Sequence, residues 1–325
     1  MHAAVLEQAV AKPDISRSDR LYRFLNAYWL RPENALWMAL RSEVLAQAPW
    51  EGPSIDLSCG DGVFSFLHAG GVFNEDFDVF TSVTPLDKHR DEKADIFDHC
   101  DDDYHPEIVQ PAAYTIDVGT DFKPNLLTKA GLLSLYEELV VHDNNEPLPF
   151  NDGAFRTVYC NAAYWIENID GFLSEMRRIT APEGRVLLEV KLDSVLRYTL
   201  ECHREVLGDR FLDIIGRGRA ATWPSLAGRA TWESRFAKAG LRIERATPFV
   251  TRTHAHLWDV GLRPIAPMLI ELANNVTAVT RRQVKRRWVN LFHDLCEPFH
   301  TFDADVLPGT DDPAEVLYEL TLAQS

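Results

Sequence analysis

The stretch Ser54-Ile55-Asp56-Leu57-Ser58-Cys59-Gly60-Asp61-Gly62 constrains this chain more than any other. A short apolar run meets two closely spaced glycines and passes at once into the apolar-periodic Val63-Phe64-Ser65-Phe66-Leu67, which predicts a strand, a tight turn and a helix. Glycines at such a turn let the backbone bend sharply and come close to a ligand, and the following helix start offers unpaired N–H groups to an anionic group. By itself the turn is equally a plain structural connection.

Strand and helix patterns alternate further on. The spacing predicts strands over 113–120, 138–142, 155–161, 185–191, 241–246 and 315–322, and helices over 124–133, 169–179 and 230–239. Strands separated by helices imply a mostly parallel sheet with right-handed crossovers, whose ligands sit at the carboxyl ends of the strands. Two of those ends carry acids, Asp121 and Asp143. A carboxylate in the position of Asp121 accepts both hydroxyls of a ribose in nucleotide-binding sheets, although in Asp121-Phe122-Lys123-Pro124-Asn125 it also suits a helix cap. Acids at consecutive strand ends, together with the glycine loop, favour a nucleotide-type ligand.

The remaining chain adds a cap and two insertions. Residues 18–47 have helical spacing in two blocks split at Pro32, and Tyr22, Phe24, Tyr28, Trp29 and Trp37 make them strongly aromatic. The 325 residues hold 49 acidic and 33 basic side chains, a net charge of −16 that argues against general nucleic acid binding. Twelve acids against three bases fall in 72–113, which reads as an inserted surface element. Five scattered cysteines without a CxxC pair argue against a disulfide framework or a cysteine zinc site. Without an apolar run of about 18 residues or a signal-peptide pattern, the chain reads as cytoplasmic, with no integral membrane association.

The order of motifs resembles the class I S-adenosylmethionine-dependent methyltransferases, in particular the small-molecule, methyltransferase-11-like group that includes quinone-biosynthesis C-methyltransferases. The resemblance rests on Asp56 through Gly62, on Gly119-Thr120-Asp121-Phe122-Lys123-Pro124-Asn125, on Asp143 ahead of Leu148-Pro149-Phe150, and on the turn Pro182-Glu183-Gly184. It implies a Rossmann-like, seven-stranded, mostly parallel α/β sheet with an antiparallel last strand and helices on both faces. It also implies S-adenosylmethionine as cofactor and S-adenosylhomocysteine as product. Asp56, Ser58, Gly60, Gly62, Asp121, Phe122, Asp143, Asn144 and Asn161 would be cofactor-binding, with Asp121 on the ribose and Asp143 at the adenine amino group.

Three departures accompany this pattern: Ser58 replaces the usual first glycine, about forty residues separate the first loop from Asp121, and 254–309 intervene before the last strand. The expected division is a helical cap over 1–49, a core over 50–251 containing the acidic insertion 72–113, a helical insertion over 252–310 for acceptor or interface, and the last strand within 311–325.

In-line methyl transfer asks for positioning in a dry pocket, and aromatic faces stabilise a sulfonium; Tyr164 and Trp165 follow the fourth strand and suit that wall. Candidate catalytic residues are Tyr164, His142 and His254; His68 and His256 fit by composition alone. The donors of Asp98-His99-Cys100-Asp101-Asp102-Asp103-Tyr104-His105 follow no known ligand spacing, so they read as a solvated acidic loop and no metal is expected. The run Arg281-Arg282-Gln283-Val284-Lys285-Arg286-Arg287-Trp288 reads as a solvated helix face, with substrate phosphates or an anionic membrane surface as alternatives.

The expected function is methyl transfer to a small molecule, and the pattern allows a homodimer. The rivals are a non-catalytic subunit or interaction module of the same fold, and an NAD(P)-dependent oxidoreductase. The second is weaker because the loop lacks the later glycine of the dinucleotide fingerprint.

Overall fold

The computed structural model describes residues 11–81, 100, 104–216, 223–262, 265–300 and 312–323, with side chains 214–216 excepted. Two cap helices come first. α1 (Arg17–Ala27) starts at Ser16, whose hydroxyl accepts from the Asp19 N–H, and α2 (Pro32–Gln47) opens with a proline at a position that needs no N–H. The first βα unit follows as β1 (Ser54–Leu57) and α3 (Val63–His68).

A small antiparallel pair, β2 (Val72–Phe73) with β3 (Ile108–Gln110), lies within the first insertion. The core resumes with β4 (Ile116–Asp121), α4 (Pro124–Gly131), β5 (Tyr136–Val141), β6 (Phe155–Cys160), α5 (Ile169–Ile179) and β7 (Thr180–Lys191). Three short helices, α6 (Ser194–Tyr198), α7 (Arg204–Leu207) and α8 (Asp209–Gly216), lead to α9 (Arg229–Lys238) and β8 (Leu241–Val250). The second insertion is helical, with α10 (Arg252–Val260), α11 (Ala266–Asn274) and α12 (Ala278–His300), before β9 (Glu315–Leu322).

The sheet order is β5-β4-β1-β6-β7-β9-β8, and only β9 runs antiparallel to its neighbours. That is the expected seven-stranded architecture. Alternation along β7 splits the chain between two cores: Val186, Leu188 and Val190 face the layer of α5 and α9, while Leu187, Glu189 and Lys191 face the cap side.

Two strands run well beyond their expected bounds. β7 begins at Thr180, because Thr180 pairs with Phe155 ahead of a register shift and the Pro182–Gly184 turn becomes an irregularity within the strand. β8 continues through Pro248 to Val250; it is an edge strand paired only with β9, where a missing N–H is tolerated.

The insertions correct two expectations. Asp78, in the supposed surface element, is fully buried, and Phe77, Val79 and Phe80 join the core around it. The basic run is a solvated face only in part: Arg282, Arg286 and Arg287 are exposed, while Arg281 and Lys285 are turned inward onto this segment. Arg281 clamps the Asp78 carboxylate at 2.9 and 3.1 Å and lies 5.5 Å from the Trp29 ring centroid, while Trp29 donates to the same carboxylate at 2.8 Å. Lys285 donates to the carbonyls of Glu75 and Phe77, and Arg282 meets Asp76. Among the described residues no helix is long and apolar enough to cross a membrane, and no group of three His, Cys, Asp or Glu side chains would hold a metal. Apart from Cys100, Tyr104 and His105, the candidate metal loop lies outside those residues.

Removing one member of a buried ion pair strands the other charge, which costs about 3 kcal/mol or more. Asp78→Ala should therefore lose about that much stability in urea denaturation, whereas Glu75→Ala, which removes an exposed pair, should lose under about 1 kcal/mol.

Candidate functional site

The carboxyl ends of β1 and β4 meet at the glycine loop. Ser58, Gly60 and Gly62 all have left-handed backbones, with φ of 61°, 61° and 73°. A side chain at Gly62 would press on Leu133, Tyr136 and Ala130 at 3.1 to 3.2 Å, so this glycine answers to packing; at Gly60 a Cβ would meet nothing within 4 Å. Gly60 faces open space, the situation of backbone left free for a ligand. Ser58 bears the left-handed strain with a side chain, at a cost of about 1 kcal/mol, and its hydroxyl is held by the Asn144 amide at 2.8 Å.

Asp121 ends β4 against this loop. Its carboxylate accepts from the Gly60 N–H at 3.0 Å and from the Lys123 N–H at 2.9 Å, so one side chain both secures the loop and terminates the strand. Phe122 beside it is 56% exposed.

At the end of β5 the two neighbours divide. Asp143 is exposed and its carboxylate accepts from the backbone and side-chain amides of Asn145, while Asn144 is buried beside Ser58 and its Oδ1 finds no partner. A buried unpartnered acceptor within this loop system, next to a glycine that faces open space, fits an adenosyl ligand bringing its own donors. Asn161 stands half-buried just past β6.

Asp56 lies beneath the loop. Ser65 and Tyr136 donate to it at 2.6 and 2.8 Å, yet burial outweighs these bonds and pushes its carboxyl up to about 6. Its contact is with the scaffold: it fixes α3 and Tyr136 under the loop.

The three catalytic candidates lie apart from one another in role. His142 is half-buried and its ring faces the Glu146 carbonyl at 3.4 Å. Both nitrogens of His254 are engaged: Nδ1 takes part in the Thr251 capping box and Nε2 meets the Phe299 carbonyl at 2.9 Å, joining α10 to α12. Tyr164 belongs to a third environment, and burial raises its hydroxyl to about 12.

That environment contains residues the sequence reading missed. At the carboxyl end of β7 the Lys191 ammonium sits 4.3, 4.9, 5.1 and 5.5 Å from the ring centroids of Trp37, Tyr164, Trp223 and Trp258, and bonds to Glu315 of β9 at 2.6 Å. Arg41 of α2 bridges Glu315 at 3.0 Å and Glu189, and Tyr159 donates to Glu189 at 2.9 Å. A signal was present: two charges, two residues apart, in an otherwise apolar interior strand have to find partners.

The Asp56 shift makes a pH prediction. A carboxyl raised from 3.8 to about 6 lets the folded protein hold a proton that the unfolded chain releases, so its contribution is full below about pH 4 and is lost as pH rises through 6. The stability of the wild type minus that of Asp56→Asn should fall by about 3 kcal/mol between pH 4 and pH 7 in urea titrations. A flat difference would refute the assignment.

Residues 107–188 match the methyltransferase domain family. No curated protein matches the chain in sequence. Among solved structures, a chain of the complex between the Haloferax volcanii Trm112 methyltransferase activator and a putative methyltransferase is similar at 14% identity and TM-score 0.45, covering 93% of this chain and 98% of that one. A putative methyltransferase from Bacillus halodurans is similar at 14% identity and TM-score 0.38, covering 83% and 92%. The [4+2]-cyclase SpnF is similar at 14% and 0.43, covering 88% and 82%. The matched segment runs from β3 to β7, and the sheet order with its antiparallel seventh strand extends the same pattern to both edges: the core has the Rossmann-like fold of the class I S-adenosylmethionine-dependent methyltransferases.

Proposed function

We propose that the protein binds S-adenosylmethionine at the carboxyl edge of the sheet and transfers its methyl group to a small molecule, releasing S-adenosylhomocysteine. The observation that carries this reading is the contact between Asp121 and the Gly60 N–H, which puts a strand-end carboxylate against a left-handed loop facing open space. In the loaded protein Asp121 accepts the ribose hydroxyls, Gly60 and Gly62 admit the backbone to the ligand, and Ser58 with Asn144 borders it. Asp143 and Asn144 attend the adenine, with Phe122 and Asn161 alongside. The bound sulfonium supplies the electrophilic methyl group, and the chain's part is to orient both reactants and keep water out. All five cysteines are free, which accords with a cytoplasmic setting.

One observation favours a partnered version of this reading. Met268 and Leu272 on α11 are 63% and 65% exposed, and Val284, Leu291 and Leu295 on α12 are each about half exposed. Large apolar side chains gathered on one insertion suit an interface, either with a second copy or with a subunit that a non-catalytic role would require.

Calorimetry with S-adenosylhomocysteine is the test. The folded wild type should bind it, and Asp121→Ala, which removes charge-assisted bonds worth about 3 kcal/mol, should weaken binding about 100-fold. Absence of binding by well-folded protein would overturn the reading. Binding with no turnover of any acceptor until a partner is added would favour the subunit role.

A further inference from the structure

Along α12 one apolar stripe stays partly open to solvent. Val284, Leu291 and Leu295 recur at i, i+7 and i+11, so they line a single face, and each is about half exposed. The inner flank of the stripe is fixed: Trp288 meets Trp29 edge-on at 6.0 Å and Phe292 at 5.1 Å, and α1 lies along the helix beyond them. The outer flank carries two exposed charges of opposite sign, Arg287 and Asp294, which lie two turns apart on the same side of the stripe. Among the described residues Arg287 pairs with no acid, and Asp294 meets the ring of neighbouring His293 at 4.0 Å.

The charges decide what such a face can accept. An anionic membrane asks for cations along the stripe, but Asp294 stands there, and Arg282 and Arg286 leave the opposite side of the helix toward Asp76 and Glu75. A second copy of this chain is repelled over much of its surface by the net charge of −16, whereas the flank of this stripe holds one cation and one anion. Their positions are also self-complementary. Two antiparallel copies of α12, related by a two-fold axis between Asn290 and Leu291, bring like flank against like flank. Arg287 and Asp294 are equally distant from that axis, so each arginine faces the other copy's aspartate, twice over. The same operation sets Leu291 beside its counterpart and Val284 close to Leu295 of the second copy.

We propose that two copies of this chain associate through α12 as an antiparallel, two-fold symmetric helix pair, with Val284, Leu291 and Leu295 at its centre and Arg287 paired to Asp294 of the other copy on its rim. The apolar stripe supplies the attraction, and the two charge pairs fix direction and register. One helix pair is small beside the about 800 Å² per partner of a standard interface, so the dimer is weak and depends on concentration. This commits the exposed side of α12 to a second copy and is independent of the methyl-donor reading.

The test is sedimentation velocity of the full chain at low salt, from about 1 to about 200 μM, with thermal unfolding as the check on folding. The wild type should pass from monomer to dimer across that range. Leu291→Asp, which sets two carboxylates side by side at the axis, should raise the dissociation constant about 100-fold or more. Arg287→Asp alone, and Asp294→Arg alone, place like charges opposite each other and should each weaken the dimer about tenfold. Exchanging the two, Arg287→Asp with Asp294→Arg, should restore it, because the antiparallel pairing reads the same with the charges reversed. If Leu291→Asp fails to fold, the exchange still decides. A wild type that stays monomeric throughout, a dimer indifferent to Leu291→Asp, or an exchange that restores nothing overturns the proposal. So does a monomer that binds phosphatidylserine vesicles through this stripe, which would assign the face to a lipid surface. None of these outcomes bears on S-adenosylhomocysteine binding.

Discussion

Arg41 is the interaction on which the arrangement of this protein turns. It reaches from α2 to two carboxylates on different strands, Glu189 of β7 and Glu315 of β9, both almost inaccessible to solvent. Lys191 and Glu315 are register partners across the one antiparallel junction on that side of β9. The cap helix, the last parallel strand and the reversed strand are thereby fixed relative to one another by ions. Buried charges left without these partners would be costly, so the pairs hold α2 against β7 and β9. Trp37, one turn before Arg41, donates its indole N–H to Glu315 at 2.8 Å and extends the same anchor.

The second insertion depends on this cap. α12 lies along α1, and its cations reach past it to the segment after β2, where Asp78 takes Arg281. Three acids at the start of the acidic segment, Glu75, Asp76 and Asp78, thus pair with Arg286, Arg282 and Arg281 of the basic run. Of these, the buried pair of Arg281 with Asp78, together with Lys285 on the carbonyls of Glu75 and Phe77, joins the two insertions. The exposed apolar residues of α11 and α12 then stand on a firm platform, which suits docking better than a loose helix would.

The parallel core was legible because strand and helix periods differ and because Asp56, Asp121 and the glycines sit at fixed points of that alternation. The loop was readable to the residue; the departure at Ser58 was visible too, though its compensation by Asn144 was not, since the two are 86 positions apart. The same distance problem hid the ion pairs. Arg281 lies 203 residues from Asp78, and Arg41 lies 274 from Glu315, separations at which no local pattern reports a partner. What the sequence did carry was the anomaly of Glu189 and Lys191 in an apolar strand.

That anomaly bears on how fold and chemistry are divided here. In the glycine loop each polar group has a scaffold role that a ligand can take over: Asp121 already accepts from Gly60, and Asn144 already holds Ser58. A ligand bound there as proposed would exchange one set of hydrogen bonds for another. Lys191, by contrast, serves the strands themselves. Its ammonium pairs with Glu315 across β7 and β9 and faces the rings of Trp37, Tyr164, Trp223 and Trp258, so an uncharged side chain there would leave the buried Glu315 carboxylate with one cation fewer.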